Sequence, residues 1–142
     1  MRALLDTGVW FRRYHRLPMG RPLQKFLQEI TEFYLSPLSV AEISFKWSRG
    51  RLPGVPDPAG WVPHALENFI VLNLSPEAAL RAGRWKWSHG DLVDRSLAAL
   101  AAETDIPLVH TDRVLRDLPG FPQKWFRNVR ICCRPGRRLV VS

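Results

Sequence analysis

Cysteine is scarce in this sequence and offers little chemistry. Its 142 residues include two cysteines, the adjacent pair Cys132 and Cys133. Neighbouring cysteines rarely pair with each other, and two thiols make neither a disulfide framework nor a four-ligand zinc site. We therefore expect two free or buried thiols near the C-terminus.

Long apolar runs are also lacking. No run approaches the roughly 20 residues that a helix needs to cross a bilayer. The segment Met1–Asp6 meets a carboxylate too early for a secretory signal. Apolar residues make up 46% of the chain and charged residues 24%, a globular balance. We expect a cytoplasmic protein with one main core and no membrane partner.

Acidic residues are outnumbered, with 13 Asp and Glu against 21 Lys and Arg, so the net charge is +8. A basic, arginine-rich surface attracts anionic polymers and binds phosphates in a bidentate manner. Charge alone is weak evidence, because such a surface can also meet an acidic protein partner. The few acids therefore matter through their positions.

Strand-like and helix-like segments alternate along the chain, which predicts a three-layer α/β/α sandwich with a mostly parallel central sheet. The main domain is predicted to span residues 1–120, and residues 121–142 a C-terminal strand and a loose basic tail. The Pro- and Gly-rich segment 53–60 is predicted to be a loop. The predicted strands are 2–5, 33–36, 69–74, 106–110 and one near 129–132. The predicted helices are 9–14, 22–31, 39–49, 61–68 and 91–104, with shorter helices beginning near Ser75 and after Asp112.

Carboxylates stand where predicted strands give way to helices. Asp6, Glu42 and Asp112 follow predicted strand ends, and Asp94 lies one turn into a helix that begins near Asp91. Because the carboxyl ends of parallel strands meet at one sheet edge, these acids are expected to cluster there. Such a cluster would carry more negative charge than it could hold without a cation. Oxygen ligands favour Mg²⁺ or Mn²⁺ and hence phosphate chemistry.

Each acid also has a purely structural explanation. Asp6, Asp91 and Asp112 are placed to begin helices, where a carboxylate caps free amides and meets the favourable end of the helix dipole. Glu42 has capping-box spacing from Ser39. Asp94 is harder to explain as a cap, because it lies on the same side of the helix as Asp91, three residues earlier.

Four stretches of the sequence carry a resemblance to a known family. They are Leu4-Leu5-Asp6-Thr7, the segment from Leu38 to Leu52 with Glu42, the segment from His89 to Ala101, and Leu108-Val109-His110-Thr111-Asp112. The third is similar to the pattern H-R-D-P-F-D-R-x-L-x-A-Q-A. In this order and spacing, the stretches resemble the PIN-domain nucleases, in particular the VapC-type toxins of bacterial toxin–antitoxin pairs.

The resemblance implies a Mg²⁺-dependent (or Mn²⁺-dependent) endoribonuclease that is the toxin of a type II toxin–antitoxin pair. RNA would be its substrate, a cognate antitoxin its partner, and a homodimer its usual state. The resemblance also assigns residue roles. Asp6, Glu42, Asp94 and Asp112 would be catalytic, metal-binding acids, with Asp91 as an additional metal ligand and Thr7 and Thr111 as supporting hydroxyls.

Three further residues near the acids are candidates for substrate binding. Lys46 either contacts a substrate phosphate or pairs with Glu42 one helical turn away. Arg95 either binds phosphate or steadies the acids by a salt bridge. His89 precedes the acidic helix and is placed to touch RNA, whereas a bound metal would already supply the activated water.

Other functions fit the residues less well. A phosphohydrolase with Asp6 as covalent nucleophile would commonly carry a second Asp two residues later, where this chain has Gly8. A response-regulator domain would need an acidic pair beside the first strand. The main alternative is a catalytically silent PIN-like domain that binds RNA or a protein partner, although loss of activity would usually show as a missing acid.

Overall fold

The sheet is entirely parallel. A computed structural model describes residues 1–129, in which five strands have the spatial order β3-β2-β1-β4-β5. Parallel neighbours need crossover connections, and helices provide them here. The strands are β1 (Arg2–Leu5), β2 (Glu32–Leu35), β3 (Phe69–Val71), β4 (Leu108–His110) and β5 (Gln123–Trp125).

Seven helices connect or follow these strands in the described residues. They are α1 (Thr7–Tyr14), α2 (Arg21–Gln28), α3 (Pro37–Ser48), α4 (Pro58–Ala65), α5 (Pro76–Arg84), α6 (Leu92–Thr104) and α7 (Arg113–Arg116). None of the helices in residues 1–129 is both long enough and apolar enough to cross a membrane.

Both faces of the sheet are buried at its central strand β1, which confirms the predicted three-layer sandwich. Along β1, Ala3 and Leu5 belong to a core cluster that also contains residues of α1, α2, α3 and α4. Leu4 points to the opposite face and joins a second cluster with Leu97 and Leu100 of α6. Side chains of a strand alternate between faces, so the three apolar residues of this strand contribute to both cores.

Three helices begin two or three residues before their predicted starts, namely α1 at Thr7, α3 at Pro37 and α4 at Pro58. Helix α3 begins at Pro37 because Ser36, the residue directly before the helix, accepts a hydrogen bond from the Leu38 amide at 3.1 Å. Helix α4 begins inside the predicted loop, at Pro58, because Asp57 caps it. In both cases Pro occupies the first helical position, where its missing N–H costs nothing.

The fifth strand lies before the predicted one. Residues 123–125 pair with β4 in parallel, so the sheet continues beyond residue 120. Val129 is not in a strand. The remainder of the strand predicted near 129–132, the two cysteines and the basic tail lie outside the described residues.

Candidate active site

Two neighbouring strands deliver two of the acids to one edge of the sheet. Asp6 directly follows β1, and Asp112 lies two residues after β4. The Asp6 amide donates to the Val109 carbonyl at 3.1 Å, which fixes the two chain segments side by side. The strand order reverses at β1, between β2 and β4, and such switch points are where open α/β sheets bind ligands.

A cavity of about 450 Å³ opens at this edge. All five predicted acids line it, as do both predicted supporting threonines and Lys46. The lining consists of Asp6, Thr7, Gly8, Glu42, Lys46, Asp91, Asp94, Thr111, Asp112, Arg113 and Asn128. The structure therefore brings together residues that are separated by more than a hundred positions in the sequence.

Three of the acids in the cavity also cap helices. One oxygen of Asp6 accepts from the Val9 amide at 2.8 Å. Asp91 accepts from the Asp94 amide at 3.0 Å, and Asp112 from the Val114 amide at 2.8 Å. Among residues 1–129 the second oxygen of each of these carboxylates has no hydrogen-bond partner. Helix capping and cavity lining are thus properties of the same side chains.

Glu42 is not part of a capping box. The cap of α3 is Ser36, so Ser39 lies within the helix and Glu42 one turn further on. Ser39 is fully buried and its Oγ accepts a hydrogen bond from the Thr7 hydroxyl at 3.0 Å. This buried contact fixes α1 to α3. Glu42 projects into the cavity, and Lys46 Nζ lies 3.9 Å from its carboxylate.

The acids perturb one another electrostatically. Burial, helped by the Asp94 and Glu42 carboxylates, raises the pKa of Asp6 from 3.8 to about 7, although the Val9 amide and Arg12 oppose the rise. Burial also raises the pKa of Asp94 to about 6, with Asp91 and Asp112 adding to it and His89 opposing it. Burial and the neighbouring carboxylates therefore both oppose full ionisation of the acids at this site.

Comparison with known proteins identifies the family. The family model described as PIN domain matches residues 3–120, most of the chain. The chain belongs to the PIN-domain family. Members of this family are generally nucleases that use a divalent metal. No curated protein matches the chain at a significant level.

Solved structures share the fold of this PIN domain at low sequence identity. VapBC2 from Rickettsia felis, bound to a DNA fragment from its promoter, has a TM-score of 0.68 and 14% identity, covering 89% of this chain and 99% of that one. DNA-bound VapBC from Salmonella typhimurium has a TM-score of 0.65 and 17% identity, with coverages of 88% and 98%. A toxin–antitoxin complex from Klebsiella pneumoniae has a TM-score of 0.63 and 18% identity, with coverages of 91% and 99%.

The donor set of this PIN domain fits a divalent cation. The acids supply hard oxygen donors, which Mg²⁺ and Mn²⁺ prefer. Donor atoms of His89, Asp94 and Asp112 all lie within 4.8 Å of one another. Three donor atoms this close together can serve as ligands of one divalent ion.

Arg95 is placed differently from the other candidate residues. It is buried and does not line the cavity. Its Nε donates to the Ala82 carbonyl at 2.7 Å and its Nη1 to the His89 carbonyl at 2.8 Å. It also donates to the carbonyls of Trp87 and Trp85. In the described residues Arg95 therefore fastens the 85–89 connection to α6 and makes no salt bridge with the acids.

His89 is turned toward the acids. Its Nε2 lies 2.8 Å from Asp94 Oδ2, and its side chain is 18% exposed. His110, in contrast, has a structural role. It is fully buried, its Nδ1 accepts from the Asp112 amide at 3.1 Å, and its Nε2 lies 2.7 Å from Gln123 Oε1. Burial lowers the pKa of His110, so the neutral ring orients the Asp112 backbone and links it to β5.

Three residues of the site were missed by the sequence analysis. Arg113 and Asn128 line the cavity, and the buried Arg12 donates to Asn128 Oδ1 through Nη1. Arg113 follows Asp112 directly, which is a usable signal for a cation near the site. Asn128 and Arg12 carry no such signal, because they meet through a contact across 116 positions of the chain.

Proposed function

We propose that this PIN domain is a divalent-metal-dependent endoribonuclease and the toxin of a type II toxin–antitoxin pair. The observation that carries the proposal is the cavity at the switch point of the sheet, lined by five carboxylates. The pKa values of two of them are raised by burial, and the neighbouring carboxylates add to the rise. The family's general nuclease activity supports the same conclusion.

The proposed metal ligands are the acids of the cavity. Asp6, Glu42, Asp94 and Asp112 would hold one or two ions, Mg²⁺ or Mn²⁺, with Asp91 as an added ligand. When bound, such an ion supplies an activated water and neutralises a phosphate oxygen. Helix capping positions three of these ligands. Because one oxygen each of Asp6, Asp91 and Asp112 is fixed by a helix amide, the other is aimed without conformational cost.

The threonines and cations beside the acids have supporting parts. Thr7 is held by Ser39 and keeps the start of α1 in place next to Asp6. Thr111 lines the cavity between β4 and Asp112. Lys46 and Arg113 stand at the same cavity, where they would bind the phosphates that flank the scissile bond. The net charge of +8 favours RNA as the polymeric partner.

The proposed partners follow from the fold and the solved structures that share it. Those structures are described as VapBC assemblies or a toxin–antitoxin complex, at 14–18% identity. We propose a cognate antitoxin that silences this chain, a homodimer as its own assembly, and a cytoplasmic location. An apolar groove of about 470 Å³ between α3 and β3, with Val40 and Val71 in its lining, offers surface for such contacts.

Cleavage of RNA by the purified chain tests the proposal. Fluorescently labelled RNA should be cut with Mg²⁺ or Mn²⁺ and not with EDTA. Asp94→Asn and Asp6→Asn should abolish cutting while the circular dichroism spectrum stays that of the parent. Asp57→Asn, which changes an exposed cap at α4, should cut at the parental rate. No metal-dependent cleavage of any RNA by the parent would favour the silent, binding-only alternative.

A growth assay separates toxicity from chemistry. Expression of the parent chain without an antitoxin should slow bacterial growth, and Asp94→Asn should relieve the effect. Equal harm from the parent and from Asp94→Asn at equal expression would show that the toxicity is not catalytic.

A further inference from the structure

His89 is held in a fixed place beside the acids. Its carbonyl accepts from Arg95 Nη1 at 2.8 Å, and Arg95 in turn binds three other carbonyls of the same chain region. The imidazole is largely buried, with Nε2 2.8 Å from Asp94 Oδ2. A ring anchored at its backbone and directed at a carboxylate has little freedom to turn away.

The distances suit a shared ion. Nitrogen of His89 and carboxylate oxygens of Asp94 and Asp112 all lie within 4.8 Å of one another. An octahedral ion with bonds of about 2.1 Å places neighbouring ligand atoms about 3 Å apart and opposite ones about 4.2 Å apart. The 2.8 Å between His89 and Asp94 matches neighbouring ligands. The 4.8 Å limit for the whole set lies close to the roughly 4.2 Å between opposite ligands, so a small inward movement of the side chains would place all three atoms in one coordination shell.

We propose that His89 Nε2 is itself a ligand of the divalent ion, next to Asp94 and Asp112, and that this nitrogen makes the site prefer Mn²⁺ to Mg²⁺. The inference rests on the proposed function, because it concerns the same ion. Mg²⁺ strongly favours oxygen ligands and retains its waters, whereas imidazole binds transition ions better. A set of three or four oxygens and one nitrogen therefore shifts selectivity toward Mn²⁺, and further toward Co²⁺ and Ni²⁺.

A weaker role for His89 has to be distinguished from ligation. A histidine that only hydrogen-bonds Asp94 would steady that carboxylate without touching the ion. Loss of such a partner typically lowers metal affinity about 10–100-fold. Affinity alone therefore does not identify a ligand, and the decisive readout must detect a nitrogen bonded to the metal.

Pulsed electron paramagnetic resonance of the full chain with Mn²⁺ alone gives that readout. The parent should show ¹⁴N modulation from a directly bound nitrogen, replaced by a ¹⁵N signal when histidine is ¹⁵N-labelled. The modulation should disappear in His89→Gln and persist in His64→Gln, a histidine exposed on another face. His110 is not expected to contribute, because its ring is fully buried and its two nitrogens face the Asp112 amide and Gln123 rather than the acids.

Metal titrations complete the test. His89→Gln should lower Mn²⁺ affinity by about tenfold or more and Mg²⁺ affinity by much less, so that the preference for Mn²⁺ shrinks. Mn²⁺ bound to the parent without ¹⁴N modulation overturns the inference and leaves the oxygen-ligand metal site standing. Modulation that persists in His89→Gln also overturns it. A parent that binds no Mn²⁺ refutes the metal site of the proposed function as well. The labelling experiment uses the parent and stands even where a variant folds poorly.

Discussion

Replacing Asp6 by Asn should stabilise the metal-free protein. The pKa of Asp6 rises from 3.8 to about 7 on folding, because the carboxyl is buried next to Asp94 and Glu42. A shift of that size corresponds to about 4 kcal/mol against the ionised folded state. Because the cavity opens to water, which screens these charges, we expect the measured stabilisation by Asp6→Asn to be about half as large, about 2 kcal/mol. Asn keeps the oxygen that caps Val9 and removes the charge.

The sign of the pH dependence follows from the raised pKa. A carboxyl that holds its proton more tightly when folded contributes stability that is fully present below pH 3.8 and lost as the pH rises to about 7. The advantage of Asp6→Asn over the parent should therefore be small at pH 4, grow through pH 5 and 6, and level off above pH 7. At pH 8 the melting temperature should be higher by roughly 6 °C.

The assay is thermal and urea unfolding in EDTA at pH 4 to 8, with Asp57→Asn as the control. Asp57 caps α4 at a solvent-exposed position, so the stability of Asp57→Asn relative to the parent should not increase with pH. Mg²⁺ at a hundredfold excess over its dissociation constant should stabilise the parent by about 2.7 kcal/mol. This stabilisation exceeds the destabilisation caused by the ionised Asp6, so in Mg²⁺ the parent should be more stable than Asp6→Asn. An Asp6→Asn variant less stable than the parent at pH 8 in EDTA would refute the electrostatic reasoning.

Two further predictions concern cations of the site. Arg95→Lys should lower the free energy of unfolding by about 3 kcal/mol, because one ammonium cannot reach the four carbonyls that Arg95 binds. Urea titration measures this change. The control Arg84→Lys, at an exposed position, should change the free energy of unfolding by less than about 0.5 kcal/mol. Lys46→Ala and Arg113→Ala should each weaken binding of single-stranded RNA and reduce the magnitude of the slope of log affinity against log salt by about 0.7. The control Arg51→Ala should leave that slope unchanged. If all three variants show the same slope, Lys46 and Arg113 are not part of the RNA-binding surface.

The sequence predicts the central part of the fold well. The apolar run at 2–5 and the helix at 91–104 are found as β1 and α6, within a residue or two. These segments are strongly apolar or strongly periodic, and their burial leaves few alternatives. The acids that follow the strands were correctly expected at one sheet edge, because parallel topology determines where strand ends meet.

The peripheral elements were predicted less well, for physical reasons. Strand β5 consists of Gln123, Lys124 and Trp125, which have no alternating apolar pattern. It is held in the sheet by pairing with β4 and by the contact between His110 and Gln123. The burial of Arg95 also escaped prediction. Its partners are backbone carbonyls, and no side-chain pattern in a sequence reveals those.

The acids at the helix starts show why capping alone does not explain them. In the same chain, Ser36 and Ser75 cap α3 and α5 with uncharged hydroxyls. A neutral cap at Asp6 would satisfy the Val9 amide equally well and avoid burying the charge, whose burial next to other acids raises the Asp6 pKa to about 7. The hydrogen bond from Val9 lowers that pKa, yet burial and the neighbouring acids outweigh it. Burial disfavours the ionised form of Asp6 in the metal-free protein, and the proposed divalent cation would stabilise that form when bound.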